Sequence, residues 1–173
     1  TFTPTPAEGL TIHFIDVGQG DAILIDLGET EVLIDGGGKS SDVITYLNNH
    51  VDGALEVMIA THPHDNHIGG LVAVLGAFEV REIWHNNDIS SSQTYAEFMA
   101  AVYAEGAEVR VGSRGKEIYV DKLTFTILNP TSLTGSTNDN SIVLTLSYGE
   151  VDFLFTGDAE YAAELSMLAA GIV

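Results

Sequence analysis

Cysteine is absent from this 173-residue chain, and its absence removes two architectures at once. No disulfide framework can staple the fold, and no thiolate can hold a metal. Any bound ion must be held by imidazole and by carboxylate or amide oxygen, a donor set that suits zinc, manganese or iron. Basic side chains are also scarce: 6 Lys and Arg stand against 25 Asp and Glu, for a formal net charge of −19. Long-range electrostatics then opposes nucleic acid and anionic membrane, so tight DNA binding is disfavoured. Four of the six basic residues, Arg110, Arg114, Lys116 and Lys122, fall close together. An ordinary solvated face accounts for them better than a binding patch does. No uninterrupted apolar run approaches the roughly 18 residues of a membrane span. The opening Thr1-Phe2-Thr3-Pro4-Thr5-Pro6 lacks the basic start and apolar stretch of a signal peptide.

What is present reads as one globular domain. Hydrophobic residues make up 45% of the chain, with 18 Gly, and the length suffices for a substantial core. Residues 1–9 read as an extended Thr/Pro linker and residues 10–173 as the domain, because proline favours polyproline II over packed structure. Such a linker suits a domain tethered outside the cytoplasm; a cytoplasmic tail has the same composition, and localisation stays open.

Strand-like stretches come early: Leu10 to Val17, Ala22 to Leu27 and Glu31 to Asp35, joined by glycine turns that favour antiparallel pairing. Ser40, Ser41 and Asp42 are N-cap candidates for a helix through about Asn49. The apolar run Glu56 to Ala60 predicts a buried strand, residues 66–75 a helix, and Glu79 to Trp84 another strand. A helix from about Ser92 to Glu105 carries Tyr95, Phe98, Met99 and Val102 at helical spacing. Five further strands follow, at Glu108–Val111, Glu117–Val120, Leu123–Leu128, Ser141–Tyr148 and Val151–Thr156. A last helix, Glu160 to Ala169, is expected to present Ala162, Leu165 and Leu168 on one face. The alternation predicts a layered α/β fold with helices covering mixed sheets.

The chemistry concentrates in Thr61-His62-Pro63-His64-Asp65-Asn66-His67-Ile68-Gly69-Gly70. Three of the six histidines of the chain fall there, at a strand end leading into a helix, where imidazoles can converge on a metal. Other carboxylates also stand at strand ends: Asp16 and Asp21, Asp35, and Asp158. One such Asp is usually a turn former or a cap, but their recurrence beside a His-x-His loop points to a site.

On these residues the chain resembles the metallo-β-lactamase superfamily. The matching stretches are Ile34-Asp35-Gly36-Gly37, the His62 to Gly70 segment and Phe155-Thr156-Gly157-Asp158. His13-Phe14-Ile15-Asp16-Val17-Gly18-Gln19-Gly20-Asp21-Ala22 and Asn138-Asp139-Asn140-Ser141 look like the branch found in the β-lactamase-like domain of competence DNA-uptake channel proteins. The resemblance implies an αββα sandwich and one or two divalent metals, zinc or manganese. It makes His62 and His64 ligands of a first metal, His67 a ligand of a second, and Asp158 the bridging carboxylate. Asp35 then orients ligands by hydrogen bonds. Asp16, Asp21, Asp65, Asp139 and Asn140 are expected beside the site.

Three departures from the pattern qualify this. Asn66 stands where an aspartate normally ligates the second metal and assists catalysis, and a neutral amide neither binds a dication as well nor accepts a proton. Asp65, next to it, is expected to point elsewhere. A further histidine expected before Asp158 has no counterpart; His85 is a weak substitute. The chain also stops at Val173, where the branch would continue through a strand into a His-His-Gly-Ser motif. A fold incomplete at that end, with a sheet edge open to self-pairing, is the expectation.

The resulting expectation is a metal-dependent hydrolase, cleaving a small phosphoester, a nucleic-acid phosphodiester or a related ester through metal-activated water. A degenerate module of the same fold, binding at most one ion, is the alternative. A purely structural or adhesion domain is a third.

Overall fold

The computed structural model describes residues 9–173; all but the last residue of the Thr/Pro linker expected over residues 1–9 lies outside them. Ten strands form two sheets. The first contains β1 (Thr11–Phe14), β2 (Ile23–Asp26), β3 (Glu31–Ile34), β4 (Leu55–Ala60), β5 (Val80–His85) and β6 (Glu108–Val111), in that spatial order. β1, β2 and β3 pair antiparallel, as two short turns require, while β3 to β6 run parallel. Between the parallel strands the chain crosses over through α1 (Val43–Leu47), α2 (Asp65–Ala77) and α3 (Gln93–Glu105). The second sheet is an antiparallel meander of β7 (Glu117–Val120), β8 (Leu123–Asn129), β9 (Val143–Tyr148) and β10 (Val151–Phe155), followed by α4 (Tyr161–Ala169).

Alternation along the strands of the first sheet sorts two cores. Leu24, Leu33, Met58 and Ile83 face α1, α2 and α3, meeting Leu47, Leu71, Phe98 and Val102. Ile25, Val32, Ile34, Ile59 and Trp84 face the other way, onto Ile118, Phe125, Ile127, Leu144 and Phe155 of the second sheet. A small third cluster, Leu128, Val143 and Met167, seats α4 on the outside of that sheet. The layers are therefore helix, sheet, sheet, helix, as the αββα expectation required.

Two local expectations are corrected. α1 is only five residues long, and none of its capping candidates caps it: Asp42 makes no side-chain cap, and the Ser41 hydroxyl donates to the Gly36 carbonyl instead, at 2.8 Å. α4 buries Ala163 and Met167, while Leu165 and Leu168 face outward. Apolar residues surround that helix, so periodicity alone did not select its buried side. By contrast α3 is capped by Ser92, whose hydroxyl accepts from the Tyr95 amide, and ends at Gly106 in the left-handed region.

The turn after β3 fixes where α2 begins. A Cβ on Gly70 would lie 2.0 Å from the Gly36 carbonyl oxygen, so the first turns of α2 rest directly on the Gly36–Gly38 backbone. The Gly70 amide donates to the Gly37 carbonyl and the Gly36 amide to that of His67, at 2.9 and 2.8 Å. This close approach brings the end of β3 and the start of α2 to one point.

Candidate metal centre

At that point Asp35, immediately after β3, has a positive φ of 56° and is fully buried. Its carboxylate accepts three hydrogen bonds. The Thr61 amide donates to Oδ1 at 2.8 Å; the Thr61 hydroxyl and His67 Nδ1 both donate to Oδ2, at 2.6 and 2.8 Å. Desolvating a carboxylate is costly, and three donors offset that cost.

One carboxylate thereby orients two imidazoles. His67 gives its Nδ1 proton to Asp35, which turns Nε2 toward Asp158 Oδ1, 3.2 Å away. The Thr61 hydroxyl has spent its proton on Asp35, so toward His62 Nδ1, at 3.1 Å, it can only accept. His62 therefore carries its proton on Nδ1, and its Nε2 lone pair faces His64 Nδ1 at 3.0 Å and Asp158 Oδ2 at 3.7 Å. Ser141 Oγ lies 3.3 Å from the same His62 Nδ1.

Electrostatics keeps these rings in different states. Burial, reinforced by the positive charges of His67 and His64, pushes His62 down to about 3, so it is a neutral donor at any physiological pH. Burial acts on His67 in the same sense, but its bond to Asp35, with the charges of Asp35, Asp158 and Asp21, outweighs it and raises His67 above the usual imidazole value. Asp21 is raised as well, by desolvation first and then by Asp35 and Asp158.

Two sets of donors converge. His62, His64 and Asp158 offer ligand atoms within 4.8 Å of one another, and so do Asp21, Asp35 and His67. A divalent cation fits this chemistry. The donors are imidazole and carboxylate only, and His67 Nε2 is buried without a hydrogen-bond partner, which an ion or a shared proton would relieve.

The remaining expected neighbours divide. Asn66 is half-buried at the start of α2, its amide lying close to Gly20. Asp65 points away, accepting from the Ser92 hydroxyl at 2.8 Å. Asp16 is exposed and accepts from the Gly18 amide of its own turn. Asp139 is drawn off by α4, where Oδ1 accepts from the Ala163 amide at 3.0 Å. Asn140 is buried in a separate network, donating to Asp88 and accepting from Thr134. Neither Asp16, Asp139, Asn140 nor His85 joins either converging set. His85 accepts from the Asn87 amide at 3.2 Å, and burial lowers its pKa.

Thr61 and Ser141 are the contributors that sequence reasoning passed over. A hydroxyl directly before the first histidine of the motif was the available signal for Thr61. Ser141 closes the Asn138-Asp139-Asn140-Ser141 stretch, where the acid and amides drew attention ahead of the hydroxyl. Three of the four clustered basic residues are engaged within the fold: Arg110 pairs with Glu82 and Glu108, Arg114 donates to Leu128 and Ser166, and Lys116 to the Val111 carbonyl. Among the described residues no helix is long and apolar enough to cross a membrane.

Comparison with known proteins agrees with this fold. The family model described as metallo-beta-lactamase superfamily matches residues 15–171. ComE operon protein 3 of Bacillus subtilis (strain 168) is 26% identical over 178 residues, covering 91% of this chain and 23% of that protein. Recombination protein 2 of Haemophilus influenzae is 28% identical over 158 residues, covering 86% of this chain and 18% of that protein. The chain thus spans about a fifth of the length of these relatives. Among solved structures, the metallo-beta-lactamase fold protein YhfI from Bacillus subtilis matches with a TM-score of 0.57 at 17% identity, covering 87% of this chain and 59% of that one. A metallo-β-lactamase with a HARLDQ motif from Cronobacter sakazakii matches with a TM-score of 0.59 at 13% identity, covering 89% and 62%. At such identities the structures speak for the fold alone.

Proposed function

Since the chain belongs to the metallo-β-lactamase superfamily, we propose that it is a metal-dependent hydrolase domain that cleaves a phosphodiester or related ester with water as nucleophile. The observation that carries this reading is the convergence of His62 Nε2, His64 Nδ1 and Asp158, with Asp35 wired behind them through Thr61 and His67. His62, His64 and Asp158 would hold one divalent cation, zinc or manganese, and His67 with Asp158 a second. Such a cation lowers the pKa of water toward neutrality and polarises the scissile bond.

The chain's own residues prepare the site. Asp35 keeps His62 and His67 in the orientation that aims Nε2 inward, so no rotamer search precedes binding. Asp158, partly exposed, directs Oδ2 toward His62 and Oδ1 toward His67, so one carboxylate would serve both cations. Asn66 cannot take a proton at neutral pH. Among ester substrates, the relative called Recombination protein 2 favours a nucleic-acid phosphodiester, while the net charge of −19 favours a small phosphoester.

The test is hydrolysis of bis(p-nitrophenyl) phosphate by the purified chain with manganese or zinc. Turnover that is abolished by chelator and by His62→Ala/His64→Ala supports the proposal. Asn66 favours a second reading, a metal-binding module without turnover. Stoichiometric metal binding with no hydrolysis of any phosphodiester or carboxylic ester would select it.

A further inference from the structure

The second converging set holds a carboxylate that the fold positions and then leaves free. We propose that Asp21 is a direct ligand of the cation held beside His67 and Asp158, supplying the charged oxygen that Asn66 does not. This rests on the metal-dependent reading above.

Of Asp21, Asp35 and His67, whose ligand atoms lie within 4.8 Å of one another, Asp35 is already committed to Thr61 and His67. Asp21 differs. Its backbone carbonyl accepts from the Gly37 amide at 2.8 Å, which ties the residue to the turn after β3, yet its carboxylate accepts no hydrogen bond from the described residues. The backbone is held and the side chain is unspent, the condition of a preorganised ligand.

The loop carrying Asp21 packs directly on residue 66. A Cβ on Gly20 would lie 1.8 Å from the Asn66 carbonyl oxygen and 3.1 Å from Asn66 Nδ2. Gly20, at φ 90°, lets the loop lie flush on the first turn of α2 and delivers the next residue, Asp21, beside His67. The loop therefore brings a carboxylate to the imidazole that the neighbouring amide fails to serve.

Independent of Asp21, His67 points to a ligand. The residue is fully buried, and its Nε2, 3.2 Å from Asp158 Oδ1, makes no hydrogen bond among the described residues. Geometry agrees: Asp21, Asp35 and Asp158 all approach the one buried ring of His67. Close carboxylates without enough countercharge are the arrangement that a dication relieves.

Calorimetric titration of the chelated chain with manganese, with bound metal counted by mass spectrometry, tests this. Asp21→Asn keeps the shape of the side chain and removes its charge. It is expected to weaken manganese binding at least about 10-fold or to remove one equivalent, with a metal-free melting curve no lower than that of the parent. Asp16→Asn removes the same charge from the same loop, outside the converging sets, and is expected to leave binding unchanged. The manganese electron paramagnetic resonance spectrum of the loaded protein is expected to change in the first variant only. Equal binding and spectrum in Asp21→Asn and the parent, or equal loss in both variants, overturns this inference and leaves the hydrolase reading standing. A parent chain that binds no manganese or zinc overturns both.

Discussion

β3 carries a buried carboxylate at each end, and the fold treats them in opposite ways. Asp35, at the site end, is surrounded by donors: the Thr61 amide, the Thr61 hydroxyl and His67 Nδ1. Glu31, at the far end, is as thoroughly buried but faces other acids. Burial first, then Glu56, raises Glu31 to about 7, with Asp52 and Asp26 adding to the effect. Glu56 meanwhile accepts from the Glu31 amide at 2.8 Å and pairs with Arg81 at 3.0 Å. A buried carboxylate among donors orients its partners; a buried carboxylate among carboxylates is harder to ionise. One strand thus offers an orienting carboxylate at one end and a passive one at the other.

The largest effect that would break this contrast is expected from Asp35→Ala. It strands the Thr61 amide, the Thr61 hydroxyl and His67 Nδ1 in a dry environment, which costs on the order of 3–5 kcal/mol of stability by chemical denaturation. Next comes metal linkage. Manganese or zinc at about a hundred times its Kd stabilises the native chain by about 2.7 kcal/mol. His64→Ala, a truncation at an exposed position, is expected to lose much of that gain, while its metal-free melting temperature stays close to that of the parent.

A third expected effect belongs to the far end and has a definite sign. Glu31 binds its proton more tightly folded than unfolded, so its contribution is fully present below pH 4.5 and is lost as pH rises through about 7. Stability measured by urea unfolding should fall over that interval, and Glu31→Gln should flatten the fall by on the order of 1–3 kcal/mol. The smallest effect is expected at Asp65, an exposed carboxylate bonded only to Ser92. Asp65→Ala should change stability by less than about 0.5 kcal/mol and leave metal affinity unaltered. A loss of affinity there would contradict its placement outside the site.

Much of this was legible in the sequence, for physical reasons that differ by element. The strand alternation of Leu24, Leu33 and Met58 against Ile25, Val32 and Ile59 exists because two opposite faces are both dry. The His62 to His67 spacing was readable because a β-to-α junction permits few ways of aiming three rings inward. What was not legible depended on tertiary competition. Asp139 and Asn140 have the chemistry of site residues, but the α4 N-terminus and the Asp88 and Thr134 network claim them. Asp16 serves its own turn. Ser41 was read as a cap and serves a loop carbonyl, because α2 forces the Gly36–Gly38 backbone close. The α4 face failed for a simpler reason: in a nine-residue helix with Glu164 and Ser166 among mostly apolar residues, the pattern marks the buried side weakly.

The most direct measurement is anomalous scattering from a crystal of the chain soaked in manganese or zinc. The expected result is a peak within coordination distance of His62 Nε2, His64 Nδ1 and Asp158. The absence of a peak there at saturating metal, or peaks only on the acidic surface around Asp52 and Glu56, would contradict the assignment of this strand-end cluster as the metal centre.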